Sequence, residues 1–522
     1  MNQNRLKNFK NEPIINPWEK PERVKLLSAG IEEARKILRQ PQKVLIGEKW
    51  VDGEAGHFFN VNPNNREEQY GPFTISSLAQ AEKSLAYAQN IQLGWGAKPY
   101  KERAELLRKI AKELHKQKWT ILGLLMLEAG KTGLEAYADW AEGIDFLEYY
   151  AFSCELINDP EFLELTPLPH HATKMHPKPI GIGVSLPPFN FPFAIFTGMW
   201  AAPTVMGNVL IVKPSPRDPA TGMFVAKIIH NLGIPIQLVL DGPHSNQIGE
   251  FLVKHPEMAL ITFTGSHRAG WEINKMAALT SEKWLKRVVA EMGGCDFIAV
   301  HDIENINTLV DAVQNSALGF QGQKCSALSR LIVKEDIYDT VKKAVLDRLG
   351  KIAPKNVTEP DAVYGGVIDQ QAFDDILKQC AVIQNAGARF LLGGKAAPHF
   401  SGWGILPSVH EGLNPFQKET GIEIFGPVFG IYEAKNFDEM VKIANSTPYA
   451  LTGALFTTKP ELKKRAVEFS SGNTYINRKC TGAFVGAEPF GGWYGSGTDD
   501  KAGHWSHLLR FIHWQTISEK IL

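Results

Sequence analysis

Cys325, within Gly319-Phe320-Gln321-Gly322-Gln323-Lys324-Cys325-Ser326-Ala327, is preceded in the chain by Glu291-Met292-Gly293-Gly294. The two side chains offer complementary chemistry. A thiolate can attack a carbonyl carbon, and a carboxylate can activate the water that later cleaves the resulting thioester. Neither is diagnostic alone, because an isolated Cys is most often a small buried hydrophobe and a Glu beside a strand end is most often solvated. A free thiol titrates near about 8.5, so attack at neutral pH needs a lowered pKa or a nearby base. Lys324, next in sequence, is a candidate source of positive charge.

These residues need elements to hold them. Pro187-Pro188-Phe189-Asn190-Phe191-Pro192, Val212-Lys213-Pro214-Ser215 and Phe263-Thr264-Gly265-Ser266 each follow an apolar, β-branched run that reads as a strand. Strands over 180–184, 209–212, 237–240, 260–263 and 287–290 alternate with helical segments such as Ala220–Leu232 and Ser266–Ala278, the pattern of a doubly wound α/β sheet. Upstream, Lys101–His115 and Leu134–Tyr150 carry apolar residues at the helical period. After Gly294 the alternation restarts, with strands over Arg330–Val333 and Val428–Glu433 and helices over Ile337–Ile352, Asp374–Asn385 and Glu461–Ser470. This predicts a second α/β domain. Leu508–Ile517 reads as an aromatic, β-branched strand without an evident partner in its own domain.

At 522 residues the chain exceeds one ordinary core, so two or three domains are expected. Lys plus Arg and Asp plus Glu are both 56, with no basic stripe or acidic tail, which argues against nucleic acid or membrane lipid as partner and for a small molecule. The charge-free stretch between Lys178 and Lys213 is broken by Pro187, Pro188, Pro192 and Pro203, so it reads as two buried strands flanking a loop and short helix, not as a membrane span. Five widely spaced cysteines without a CxxC pair argue against a disulfide framework or a zinc site, so no metal is expected. Met1–Lys20 shows neither a secretory nor an organellar signal, and the protein reads as cytoplasmic.

The motifs, taken in this order, resemble the aldehyde dehydrogenase superfamily from about Ile46 to the C-terminus. The resemblance implies a Rossmann-type doubly wound cofactor domain (1–154 and 179–292), a second α/β catalytic domain (293–488) and a small β oligomerisation element (155–178 and 503–522). It implies a homodimer or higher homo-oligomer, since in that superfamily the terminal strand pairs across subunits. By the same resemblance Cys325 attacks the aldehyde, the Cys325 backbone N–H and the Asn190 side-chain amide hold the oxyanion, and Glu291 is the base for thioester hydrolysis. Members that pass the acyl group to coenzyme A generally lack this Glu, so a free acid is the expected product. A turn role is the commoner one for an Asn in the setting of Asn190. Each oxyanion donor is worth about 3 kcal/mol.

No GxGxxG loop is present, but Gly265-Ser266 opens a helix after a strand, and helix N-termini bind anions. The resemblance assigns the cofactor to Phe189, Lys213, Ser215, Gly265, Ser266, Glu291, Gly293, Glu423 and Phe425. Lys213 contacts the adenosine ribose, and Glu423 with Phe425 holds the nicotinamide ribose. Read alone, Lys213 is a solvated charge and Phe425 a core aromatic. Pro216 stands where a family Glu is common, so no carboxylate is available there to meet a ribose 2′ group. NAD is the expected cofactor, with NADP left open.

A narrower resemblance, to the pyrroline-5-carboxylate dehydrogenase branch, rests on Ile144–Tyr150, Phe320–Ala327, Tyr475–Lys479, Thr481-Gly482-Ala483, Pro489–Gly492 and Ser496–Gly503. That branch oxidises glutamate γ-semialdehyde to glutamate in proline catabolism. Its substrate carries an α-carboxylate and an α-ammonium, so the pocket needs a cation, backbone donors and an acid. Lys324, Ser326, Gly482 and Ala483 match the carboxylate side, Glu142 the acid and Phe490 an aromatic wall. Pro188 in place of a common Trp, Trp493-Tyr494 and His504-Trp505 depart from the family and branch pattern, and Cys295 replaces a usual Lys. Another aldehyde, or an idle binding protein on the same fold, are the alternatives.

Overall fold

The computed structural model describes residues 9–159, 161, 163–280 and 283–521. The reading of Met1–Lys20 and the expected ranges 1–154, 155–178, 179–292 and 503–522 therefore lie partly outside the described residues.

The first seven-stranded sheet runs in the spatial order Arg287–Glu291, Leu260–Thr264, Ile182–Leu186, Val209–Val212, Ile236–Leu238, Val44–Ile46, Lys49–Val51. The five strands from Ile182 onward are parallel, and Val44–Ile46 joins antiparallel at the edge. Ile182–Leu186 is first in sequence yet central, with its two neighbours reached by opposite windings. The crevice of such a sheet opens at the carboxyl ends beside that reversal. The residues that follow these carboxyl ends are Pro187–Asn190 and Gly265-Ser266.

The second seven-stranded sheet is ordered Arg389–Leu392, Ser408–Glu411, Val428–Ala434, Leu328–Lys334, Asp296–Val300, Thr452–Phe456, Asn473–Ile476. Asp296–Val300 is buried along its whole length. Side chains alternate across a strand, so Ile298 and Val300 enter one core while Phe297 and Ala299 enter another on the opposite face. Glu291 ends a strand of the first sheet and Asp296 begins a strand of the second, so the carboxyl edge of one faces the amino edge of the other across Met292–Cys295.

Two expectations need correction. The segment Leu508–Phe511 is not strand. A 3-10 turn covers Trp505–Phe511 because Leu508 and Phe511 turn into the core, and strand begins at Ile512. That strand also has a partner in its own chain: Ile512–Lys520 pairs antiparallel with His171–Pro179, from Ile512↔Pro179 to His171↔Lys520. Missing the second strand follows from its composition, since His171–Pro179 carries His, Lys and Pro and no β-branched run. The expected helix Glu461–Ser470 is a short helix Pro460–Lys464 and a 3-10 turn Arg465–Glu468. Phe469 leaves the helical path to pack on Phe297, with ring centroids 4.9 Å apart. Among the described residues, no helix is long and apolar enough to cross a membrane.

Candidate active site

The Cys325 loop is held by an unusual backbone. Phe320 and Gln321 both have left-handed φ, of 49° and 55°, each costing about 1–3 kcal/mol for a non-glycine residue. Polar contacts offset that cost. The Phe320 N–H donates to the Glu135 carboxylate, Gln321 Nε2 donates to the Gly130 carbonyl at 2.8 Å, and Gln323 Oε1 accepts from the Ile368 N–H at 3.0 Å. Glu135 is itself part of the capping box that starts the helix Gly133–Ile157, with the Thr132 N–H donating to it at 3.0 Å. Gly322 carries no side chain because a Cβ would lie 2.2 Å from the Gly426 carbonyl, so the loop abuts the Glu423–Phe425 segment.

Cys325 keeps part of its surface open. Burial pushes its thiol well up, and the carboxylates of Asp296, Glu423 and Glu291 add to the rise. The positive charge expected from Lys324 does not act there. Its Nζ lies 2.8 Å from the Cβ position of Gly319, facing Glu135, and its amine is drawn to about 8 by burial, with Lys131 and Lys479 also lowering it and Glu135 raising it. Adjacency in sequence does not make adjacency of side-chain ends, since Lys324 and Cys325 diverge.

Glu291 is nearby, and both its oxygens are buried without a hydrogen-bond partner of ordinary geometry. Burial, then the charges of Asp500 and Asp499, push its carboxyl well above the usual range, opposed by Lys501 and the Gly492 backbone. A raised carboxyl is a stronger base once ionised. The thiol and its candidate base thus shift in the same direction, which keeps the gap between them from opening as far as the thiol's rise alone would open it. Asn190 is 3% exposed and its side-chain carbonyl also lacks a partner. Lys131 links the two loops: its Nζ is 4.1 Å from the ring centroids of both Phe191 and Phe320, and it pairs with Asp139 at 3.4 Å.

On the crevice side, Ser266 caps the helix His267–Leu279 by accepting from the Ala269 N–H at 3.3 Å. Gly265 admits no side chain, because a Cβ would sit 2.6 Å from the Phe263 ring, and its N–H donates to the Glu291 carbonyl at 3.1 Å. A Cβ on Gly293 would fall 1.9 Å from the Glu423 carboxylate, which accepts from the Gly294 N–H at 3.1 Å. Burial raises Glu423 to about 7, and that N–H opposes the rise. Phe425, at φ 58°, stacks edge-on to Phe189 with centroids 5.8 Å apart. Ser215 Oγ accepts from the Arg217 N–H at 3.1 Å, and the Arg217 guanidinium lies 5.2 Å over the Phe189 ring. Lys213 is not a free surface charge; it is half-buried, its side chain 11% exposed, and paired with Asp241 at 3.7 Å. The helix N-terminus at Ser266 and the half-buried Lys213 suit an anionic dinucleotide, while the two glycines admit no side chain because Phe263 and Glu423 pack against them.

On the other side of Cys325, Glu135, Asp139 and Glu142 lie at i, i+4 and i+7 on the helix Gly133–Ile157, one face of it. Burial, then Asp139, raises Glu142 to about 8, while Lys131 and Lys324 lower it. Gly482 has φ +79°, and Lys479 Nζ lies 3.2 Å from its Cβ position, beside Ala483. Ser326 is buried with its carbonyl 3.6 Å from Cys480 Sγ, and Phe490 bridges to Ala502 through its N–H at 2.9 Å. Lys131, Lys324 and Lys479 thus lie close enough to Glu135, Asp139 and Glu142 for several of these charges to shift one another's titration. Sequence reasoning missed Lys131, Glu135, Asp139, Lys479, Asp241 and the pair Asp499-Asp500. The Thr132-x-x-Glu135 capping signature could have marked Glu135; nothing local marks Asp241.

Asn190→Ala is expected to lower kcat by about 10²–10³ with little change in KM, as removal of one oxyanion donor does; steady-state kinetics check it.

Comparison with known proteins agrees with this geometry. The sequence profile of the aldehyde dehydrogenase family matches residues 50–517, and the chain belongs to that family. Among its relatives, the 1-pyrroline-5-carboxylate dehydrogenase of Staphylococcus epidermidis is 37% identical over 517 residues, covering 98% of this chain and 99% of that protein. The enzyme of the same name from Anoxybacillus flavithermus is 36% identical over 515 residues, with 98% and 99% covered. The crystal structure of 1-pyrroline-5-carboxylate dehydrogenase from Thermus with bound NAD superposes with a TM-score of 0.94 at 34% identity, covering 98% of this chain and 99% of that one. Proline utilization A from Bdellovibrio bacteriovorus has a TM-score of 0.94 at 32% identity, and the match spans 53% of that longer chain.

Proposed function

We propose that this protein oxidises L-glutamate γ-semialdehyde, formed from 1-pyrroline-5-carboxylate, to L-glutamate with NAD in proline catabolism. The observation that carries the reading is the set of opposed charges around one nucleophile. By the family resemblance Lys324, Ser326, Gly482 and Ala483 match the α-carboxylate side and Glu142 the α-ammonium side; Lys324 and Glu142 lie close enough for each to shift the other's titration, and Lys479 Nζ lies beside Gly482. Phe490 supplies the wall for the intervening methylenes. The relatives at full-length coverage carry the same activity in their names.

Phe189, Lys213, Ser215, Gly265, Ser266, Gly293, Glu423 and Phe425 would hold NAD, which when bound accepts the hydride released from the carbonyl carbon. The Cys325 sulfur attacks that carbon as its thiol proton leaves to solvent through the residue's open side, and its own N–H with the Asn190 amide hold the oxyanion of the thiohemiacetal. Loss of hydride leaves a thioester on Cys325. Glu291 then takes a proton from water as its oxygen adds to the thioester carbonyl, and the acid leaves as the sulfur is released.

The fold suggests a division at 1–154 and 179–292 for dinucleotide binding, 293–488 for catalysis, and an arm from 155–178 and 503–522. On the described part of that arm Trp514, Ile517 and Ile521 are 38%, 52% and 54% exposed, which supports a homodimer or larger homo-oligomer formed through the C-terminal strand. The five free cysteines support a reducing, cytoplasmic setting.

Removing either charged group from the substrate tests the reading. An aldehyde of the same length without the α-amino or the α-carboxylate group is expected to lose about 10²-fold or more in kcat/KM, since buried charges in the pocket are left unpaired. Turnover equal to that of the semialdehyde would remove the assignment.

A further inference from the structure

Beyond the groups that handle the substrate, Glu291 has a problem of its own. Each hydrolysis leaves a proton on it, and both its oxygens are buried, with only the Gly492 backbone and no hydrogen bond of ordinary geometry to hold that proton. The structure shows where its carboxylate turns. A Cβ built on Gly491 would lie 3.2 Å from Glu291 Oε1 and 3.3 Å from Asp499 Oδ1, so the two oxygens flank a single point that the absent side chain leaves open. Asp499 Oδ1 is buried too, and Lys501 Nζ is 3.0 Å from it. Lys501 Nζ also donates to the Gly472 and Gly491 carbonyls at 2.8 Å and 2.9 Å. Lys501 then borders a cavity of about 580 Å³ shared with His504, Ser506 and Glu488. The neighbour Asp500 is otherwise engaged, ion-paired with Arg510 at 2.6 Å and accepting from the Thr498 hydroxyl.

We propose that Asp499 and Lys501 form the exit for the proton that Glu291 takes from the hydrolytic water, delivering it to the cavity beside His504. This rests on Glu291 being the hydrolytic base. The water oxygen bonds to the thioester carbon, the carbon–sulfur bond breaks toward Cys325, and the water proton stays on Glu291. The proton then passes to the Asp499 carboxylate, directly or across one water. The Lys501 ammonium releases a proton to the cavity and takes up the one on Asp499, so both groups return to their starting charge. Other titratable groups whose charge reaches Glu291 are Asp500 on the same loop, the Cys325 thiol across the site and the Tyr150 hydroxyl of the helix Gly133–Ile157. None of these three borders the cavity.

The test is chemical rescue. In Asp499→Ala the first turnover, read as the burst of NADH, is expected to keep its amplitude and rate, which also reports an intact fold. Steady-state turnover is expected to fall about 10²-fold, the lower end of what a positioned proton-transfer group contributes, and to rise again with added formate or imidazole, small enough to enter the cavity. Asp499→Asn should show the same slow phase, and so should Lys501→Arg, whose guanidinium does not give up a proton at neutral pH. Turnover of Asp499→Ala at the parent rate, or a loss that neither additive restores, overturns the exit. Glu291→Gln, measured alongside, separates the two ideas: it should be slow and unresponsive to either additive, and rapid thioester breakdown in that variant would overturn the base assignment itself.

Discussion

Replacing Cys325 with Ala is expected to abolish aldehyde oxidation, lowering kcat/KM by at least about 10³-fold, the scale on which removal of a covalent nucleophile acts. Nothing downstream of the thiohemiacetal can form without the sulfur, so the loss falls on the first turnover and not only on the steady state. The dinucleotide cradle is built from other residues, Gly265, Gly293, Ser266 and Glu423 among them, so NAD affinity measured by fluorescence or calorimetry should change by less than about threefold. The same separation is seen in trapping: an acyl group captured on the parent protein should map by mass to Cys325, and the variant should capture none. A burst of equal size in both proteins would show that some other side chain is the nucleophile. Pushing the thiol up by burial and by Asp296, Glu423 and Glu291 adds a corollary, that the resting sulfur is protonated and resists alkylation at neutral pH. Iodoacetamide labelling of the free enzyme should therefore accelerate steeply with pH.

Much of this architecture is legible in the sequence because buried parallel strands leave apolar runs with punctuating glycines and prolines. Val209–Val212 and Leu260–Thr264 lie where those runs are, and the motifs that follow them are the crevice loops. The less legible parts have no local signature. The left-handed backbone at Phe320 and Gln321 cannot be read from residue types that ordinarily avoid it, because it is fixed from outside by Glu135 and Gly130. Lys213 reads as an exposed cation, yet burial beside Asp241 is a tertiary fact. Lys324 misleads for a related reason: sequence places its backbone next to Cys325, while its ammonium reaches the acidic face of another helix. The arm strand His171–Pro179 takes its conformation from pairing with Ile512–Lys520, not from propensity.

The hydrolytic half of the reaction gives the second large effect. Glu291→Gln should leave acylation intact and slow thioester breakdown by about 10²–10⁴-fold, the range general-base catalysis supplies. Rapid mixing should then show a burst of one NADH per site followed by a nearly flat phase, with the acyl-enzyme accumulating on Cys325. The pH dependence follows from the direction of the carboxyl's shift. Its folded pKa lies well above the ordinary carboxylate value, so the base form is scarce at low pH and thioester breakdown in the parent should rise as pH passes upward through the raised value. Gln has no such titration, and the residual rate in the variant should lack that limb. Stability carries the opposite sign. Because the folded state holds this proton more tightly than the unfolded state, the contribution of Glu291 to folding is greatest below about 4.3, the unfolded carboxylate value, and declines as pH rises toward the folded one. Replacing the acid with a neutral isostere removes that decline, so Glu291→Gln should melt at the same temperature as the parent in mild acid and above it at neutral pH. Calorimetry at the two pH values decides the matter, and a variant less stable than the parent at neutral pH would show that the carboxylate is paired in a way its buried, partnerless oxygens do not suggest.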